Sequence, residues 1–289
     1  MKYLVGITAS KSKIQNFIND AYIKAFTTDN TTPIIVPNLF ETKNEIVTKE
    51  DKKNLQANII KLAETLDALV LSGGVDLNPV FYNNKIEDSC SFNFHRDYME
   101  TELIKEFIKR KKPILGICRG FQLLGLSFNL NYFQQDISIS KEKHNGIQSD
   151  INVRTEPMHS VFVFGEFKEY CKKMGMEEPK MLTNSWHEQG FTLLPDGNRI
   201  KNKDIEKFIT GTEEFKDKTN LILNSFPEVN VIMSTNYVIE GFEHKTFPIL
   251  AFQNHPEEYS NSVAINYFIE KYIIKLYEEK NKKTTEKTT

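Results

Sequence analysis

Apolar and polar positions along the first half of the chain follow two rhythms. Tyr3 to Ile7 is a short apolar run, the pattern of a buried strand. Ile14, Phe17, Ala21 and Ala25 then recur at helical spacing, which predicts a helix. Pro33 to Val36 is a second strand, and Leu55, Ile59, Leu62 and Leu66 mark one face of a second helix. Ala68 to Leu71 is a third strand, ending in Ser72-Gly73-Gly74. Met99, Leu103, Phe107 and Ile108 mark another helix, and Pro113 to Ile117 forms a fourth strand that runs straight into Cys118. Short apolar strands between amphipathic helices predict an α/β fold, a parallel sheet covered on both faces. Ligands of such sheets bind beyond the C-terminal strand ends, so informative residues should lie just after strands.

The second half is less regular. His159 to Phe164, Phe191 to Leu194, Val229 to Met233 and Ile249 to Phe252 read as strands. A closing helix carries Val263, Tyr267, Ile274 and Tyr277. Residues 1–277 read as one domain. The polar segment 196–224 is read as an insertion or a lid, and the polar tail 278–289 as frayed or disordered.

Composition narrows the class. The chain has 289 residues, of which 39% are apolar, and its net charge is −2. That balance gives no field for nucleic acid. No apolar stretch approaches the roughly 18 residues of a membrane span, and the apolar run at the start is too short for a signal peptide. Three irregularly spaced cysteines, Cys90, Cys118 and Cys171, make neither a disulfide framework nor a zinc site. A protein of the cytoplasm, with no nucleic-acid partner, is expected.

The chemistry concentrates at PILGICRGFQLLG, Pro113 to Gly125. Gly116 and Gly120 flank Cys118 in G-x-C-x-G, the thiol counterpart of a nucleophile elbow. A sharp strand-to-helix turn strains its central residue and leaves no room for neighbouring side chains, so glycine suits both sides. The sulfur would project at a helix N-terminus. Alone, the pattern fits a buried structural cysteine equally well. Among six histidines, His255 stands out because it follows the strand Ile249 to Phe252, with Glu257 two residues on, placed to orient the imidazole. Gly73 and Gly74 expose backbone N–H groups suited to an oxyanion, and the N–H of Arg119 would be a second donor. Cys90 and Cys171 read as bystanders. His95, His144, His159 and His244 read as surface or packing residues, and Arg96-Asp97 as a helix cap and ion pair.

On three strand ends, in this order, these features resemble the class I glutamine amidotransferase superfamily. The resemblance is strongest to its γ-glutamyl-γ-aminobutyrate hydrolase branch, peptidase family C26. It is carried by LVLSGGVDLNPVFY, by the run from His95 to Gly125, and by NSWHEQ, VIEGFEH and AFQNHPEEY, and it spans Lys2 to Tyr277. It implies a flavodoxin-like fold with a mostly parallel central sheet, flanking helices and an additional β-rich segment. It also implies Cys118 as nucleophile, His255 as general base and then acid, and Glu257 as its orienter. Gly74 and Arg119 would donate to the oxyanion, and Gly73, Gln122, Ser185 and His187 would bind the γ-glutamyl group. Trp186 would pack rather than react. No metal and no cofactor is implied. One departure stands out: Asn129 and Leu130 occupy positions where the branch usually has a glycine pair.

The resemblance implies a hydrolase that frees glutamate from a small γ-glutamyl amide. The alternatives are a glutaminase subunit passing ammonia to a synthetase partner, and a non-catalytic relative that binds a γ-glutamyl ligand or a protein. A homodimer is compatible with any of them.

Overall fold

The computed structural model describes residues 2–11, 15–39, 48–82, 91–130, 132–133, 154–176, 180–187, 189–192, 226–235 and 238–286. Cys90, His144 and the segment 196–224 lie outside them.

Five parallel strands form the centre. They are β1 (Tyr3–Thr8), β4 (Thr31–Val36), β5 (Ala68–Leu71), β6 (Ile114–Ile117) and β13 (Ile249–Phe252), in the spatial order β4-β1-β5-β6-β13. The two-residue strands β2 (Ser10–Lys11) and β3 (Asn16–Phe17) pair apart from this sheet. Beyond β13 the sheet continues antiparallel through β12 (Val238–His244), β11 (Val229–Ser234), β8 (His159–Val163) and β9 (Lys180–Thr183). β10 (Gly190–Thr192) pairs with β12 and with β7 (Tyr132–Phe133). This antiparallel wing is the additional β-rich segment.

Alternation along the central strands sends side chains into two cores, which is why β5, β6 and β13 are apolar throughout. Leu69, Leu71, Ile114, Ile249 and Ala251 face α2 (Lys49–Thr65), α3 (Phe94–Lys109) and α4 (Arg119–Ser127). Val5, Ile7, Val70, Leu115, Ile117 and Phe252 face the other layer. That layer holds α1 (Asp20–Phe26), α5 (Gly165–Lys173), α6 (Val263–Tyr267) and the π-helical turn Phe268–Ile274.

Three local results differ from the sequence expectation. The first helix begins only at Asp20, capped by the Asn19 side chain, because Asn16 and Phe17 are taken into β3. The closing helix does not fray at residue 278: α7 (Lys275–Glu286) continues through most of the polar tail. Asn129 does the work of a glycine. Its φ is 56°, it follows α4, and the N–H groups of Asn129 and Leu130 return to the carbonyls of Leu126 and Gly125 at 3.2 and 3.0 Å. That is a Schellman closure, in which asparagine is the usual substitute for glycine. Among the described residues no helix is long and apolar enough to cross a membrane.

Candidate functional site

β6 ends at Ile117 and α4 starts at Arg119, so the chain turns within Cys118. Cys118 has φ 51° and ψ −107°, a strained conformation for a residue with a side chain. The turn is pinned on both sides. The Cys118 N–H donates to the Phe252 carbonyl at 2.8 Å, and the Cys118 carbonyl accepts from the Gln122 N–H at 3.1 Å. A Cβ on Gly116 would lie 2.6 Å from the Gly120 carbonyl oxygen, and one on Gly120 would lie 2.1 Å from the Leu71 carbonyl oxygen. Backbone stands in the way in both cases and cannot swing aside. Gly120→Ala is therefore expected to push α4 off β5 and to destabilise the fold by about 1–3 kcal/mol. Denaturant unfolding, with an unchanged m-value, is the check.

β13 lies beside β6 and delivers His255 opposite the elbow. The short 3₁₀ turn Pro256–Glu258 folds Glu257 back, and His255 Nδ1 lies 2.7 Å from Glu257 Oε1. A carboxylate there accepts from Nδ1–H and leaves Nε2 for Cys118. Burial alone would lower the His255 pKa. Glu257 and Cys118, which hydrogen-bonds the ring, outweigh it, so the imidazole is held well above its usual range. The backbone of His255 is clamped as well. Its N–H donates to Asn184 Oδ1, and its carbonyl accepts from Asn184 Nδ2, each at 3.0 Å. The Trp186 ring meets the imidazole edge-on at 5.3 Å, and the Arg154 guanidinium lies over the same indole at 4.7 Å.

The Ser72-Gly73-Gly74 loop follows β5, on the other side of β6. Gly74 has φ 151°, a region that favours glycine. Gly73 packs closely against His255, Tyr22 and Cys118: a Cβ there would lie 3.0 Å from His255 Cε1, 3.2 Å from the Tyr22 hydroxyl and 3.5 Å from Cys118 Cβ. The Gly73 N–H donates to the Tyr22 hydroxyl at 2.8 Å. Burial, with Glu257 and Cys118 close by, raises the Tyr22 phenol well above its ordinary range.

Arg96 and Asp97 are not a helix cap. Asn93 caps α3, its Oδ1 accepting from the Arg96 N–H at 3.0 Å. Arg96, Asp97, Glu100 and Arg119 instead form one ion network, each at most 1% exposed. Glu100 accepts from Arg96 Nε at 2.9 Å and also from Arg119, whose other terminal nitrogen pairs with Asp97. Burial of Glu100 is outweighed by the two arginines, so its pKa is lowered. The Arg119 guanidinium is likewise held charged against its burial.

The other residues expected at the site lie beside this centre. Gln122 on α4 is buried, and its Nε2 donates to the Gln189 carbonyl at 3.1 Å and to Gln253 Oε1 at 3.3 Å. Ser185 and His187 are buried, and His187 Nδ1 lies 2.9 Å from the same Gln189 carbonyl. His187 Nε2 is 3.7 Å from Glu240 on β12, whose other oxygen is 3.9 Å from His159 on β8. These three buried residues bring donor atoms within 4.8 Å of one another, close enough to hold a metal ion. Cys171 is far less reactive chemistry: it sits in the core of α5, where burial raises its thiol to about 11.

Sequence reasoning brought Cys118, His255, Glu257, Gly73, Gly74 and Arg119 to one place. It missed Tyr22, which had no signal beyond an aromatic on a helix, and Asn184, which stood unremarked within NSWHEQ. It missed the partners of Arg96 too, although the i, i+4 spacing of Arg96 and Glu100 was visible.

Comparison with known proteins bears on this site. The peptidase C26 family model matches residues 4–223, a span that ends before His255. A glutamine amidotransferase-like protein of Rickettsia prowazekii is 27% identical over 232 residues, 75% of this chain and 79% of that one. The γ-glutamyl-CDP-amidate hydrolase of Campylobacter jejuni is 33% identical over 85 residues, 27% of this chain and 39% of that one. A GMP synthase subunit of Thermoplasma acidophilum shares the fold, with a TM-score of 0.55 and 18% identity over 98% of both chains.

Proposed function

The chain belongs to the peptidase C26 family, a class I glutamine amidotransferase-like hydrolase, and from that premise we propose that it cleaves the γ-glutamyl amide bond of a small γ-glutamyl compound, releasing glutamate and an amine. The observation that carries this reading is the strained Cys118 elbow facing an imidazole that Glu257 holds at 2.7 Å.

The Cys118 sulfur attacks the γ-carbonyl. The carbonyl oxygen takes the negative charge and is met by the N–H groups of Gly74 and Arg119. The His255 imidazolium gives its proton to the leaving nitrogen, the C–N bond breaks, and a γ-glutamyl thioester remains on Cys118. Neutral His255 then takes a proton from water as it attacks the thioester, and glutamate leaves with the thiolate restored. Glu257 keeps the ring in one tautomer through both halves. Gln122, Ser185 and His187 bind the γ-glutamyl end, and the amine side sets the substrate.

The test is a panel: glutamine, γ-glutamyl-γ-aminobutyrate, other γ-glutamyl amines, and γ-glutamyl amides of phosphorylated or nucleotide amines. The name of the Campylobacter jejuni relative puts the last group on it. One γ-glutamyl amide is expected to exceed glutamine in kcat/KM by at least about 10²-fold, the scale on which a matched pocket discriminates. Cleavage of glutamine alone, appearing only with a synthetase partner, would favour the subunit reading instead. No glutamate from any member of the panel overturns the hydrolase reading.

A further inference from the structure

We propose that Arg96 is a positioning residue that sets the oxyanion-binding loop, turning the Gly74 N–H to the nucleophile's side by holding the carbonyls of Ser72 and Gly73 from behind. This rests on the reading above, in which the Gly74 N–H meets the oxyanion.

Two contacts carry it. Arg96 Nη2 donates to the Ser72 carbonyl at 2.8 Å, and Nη1 donates to the Gly73 carbonyl at 3.0 Å. A trans peptide points its N–H opposite to its C=O. Anchoring the Ser72 carbonyl therefore turns the Gly73 N–H to the far side, where it meets the Tyr22 hydroxyl at 2.8 Å. Anchoring the Gly73 carbonyl turns the Gly74 N–H the same way. A Cβ on Gly73 would meet the same Tyr22 hydroxyl at 3.2 Å, with His255 Cε1 at 3.0 Å and Cys118 Cβ at 3.5 Å, so that far side is the nucleophile's.

The guanidinium is in turn fixed on every edge. Nη1 also donates to Ser10 Oγ at 2.7 Å, Nη2 to Ser72 Oγ at 2.9 Å, and Nε to Glu100 at 2.9 Å. The second oxygen of Glu100 holds Arg119, whose backbone N–H is the other oxyanion donor. One carboxylate thus ties both donors to α3. Two arginines and two carboxylates balance in charge, so the network adds orientation rather than net charge. Apolar residues could fill this space, because buried ion networks seldom stabilise a fold better than packed hydrocarbon. They could not anchor two carbonyls from one planar fork, and neither could lysine, a single-point donor.

The experiment is Arg96→Lys, assayed with the γ-glutamyl amide that the wild-type protein cleaves best. Iodoacetamide alkylation of Cys118 is followed alongside, a reaction that needs the thiolate and no oxyanion donor. The expected result is a fall in kcat of about 10²-fold, the cost of a displaced oxyanion donor, with KM within about threefold. The alkylation rate and its pH profile are expected to match wild type. Equal losses in turnover and alkylation would mean a merely structural Arg96, and no loss in either would mean that the loop needs no anchor. Both overturn the proposal. Should the lysine variant not fold, Ser10→Ala decides. It removes one hydroxyl partner of Arg96, and kcat is expected to fall at least threefold with alkylation unchanged; an unchanged kcat overturns the proposal. A wild-type protein that cleaves nothing on the panel fails the functional reading instead, before either variant is made.

Discussion

Replacing Cys118 with alanine is expected to lower glutamate release by at least about 10⁴-fold, to the background of the assay. The loss is large because the thioester route needs a covalent bond that alanine cannot make. The one other thiol among the described residues offers no substitute. Cys171 lies in the core under α5, and its thiol, pushed to about 11 by burial, carries little thiolate at neutral pH. The alanine side chain also relieves nothing at the elbow. The φ of 51° is imposed by Gly116, Gly120 and the hydrogen bond to Phe252, all of which remain. Folding should therefore survive, and the variant should bind substrate without turning it over. Rapid quench followed by mass spectrometry separates the steps: wild-type protein gains the mass of a γ-glutamyl group and the variant does not. Glutamate release that persists in the variant would falsify the thioester mechanism.

What the chain makes legible depends on the range of the interaction. The parallel strands and the elbow could be read because each is encoded in a few consecutive residues: apolar runs closed by Gly73-Gly74, by Cys118 and by Pro256. The antiparallel wing was harder. β12 is buried along its whole length yet carries Glu240, Glu243 and His244, and no apolar rhythm marks it. Its charges are tolerated through partners distant in sequence, such as Tyr272 and Lys271 on Glu243, at 2.7 and 2.9 Å. The same limit applied at the site. His255 and Glu257 are two residues apart, and their pairing is visible in the sequence. Arg96 reaches Ser10, Ser72 and Gly73, and Asn184 reaches His255 across 71 positions. Pairings of that kind become visible only once the sheet has brought β1, β5 and β13 into register.

Glu257→Gln should give the second-largest loss, with the pH profile displaced toward acid. In the wild-type site burial pushes the His255 pKa down, while the Glu257 carboxylate and Cys118 push it up and prevail. Glutamine keeps a carbonyl oxygen in reach of Nδ1 and removes the negative charge. One upward influence is lost, so the His255 pKa falls. The acid that protonates the leaving amine is then the minority form at a lower pH, and the alkaline limb of the rate profile moves toward acid. A second loss adds to the first. The amide nitrogen can also be presented to the ring, where it would donate to Nδ1 and fix the wrong tautomer. The corresponding carboxylate-to-amide change in a serine protease costs about 10⁴-fold, and a loss of about 10²–10⁴-fold in kcat is expected here. A pH–rate profile of the variant measures both effects. If kcat falls while the alkaline limb stays in place, Glu257 acts on the orientation of the ring alone. If neither changes, the carboxylate at 2.7 Å is a bystander, and the proton transfers assigned to His255 need another orienter.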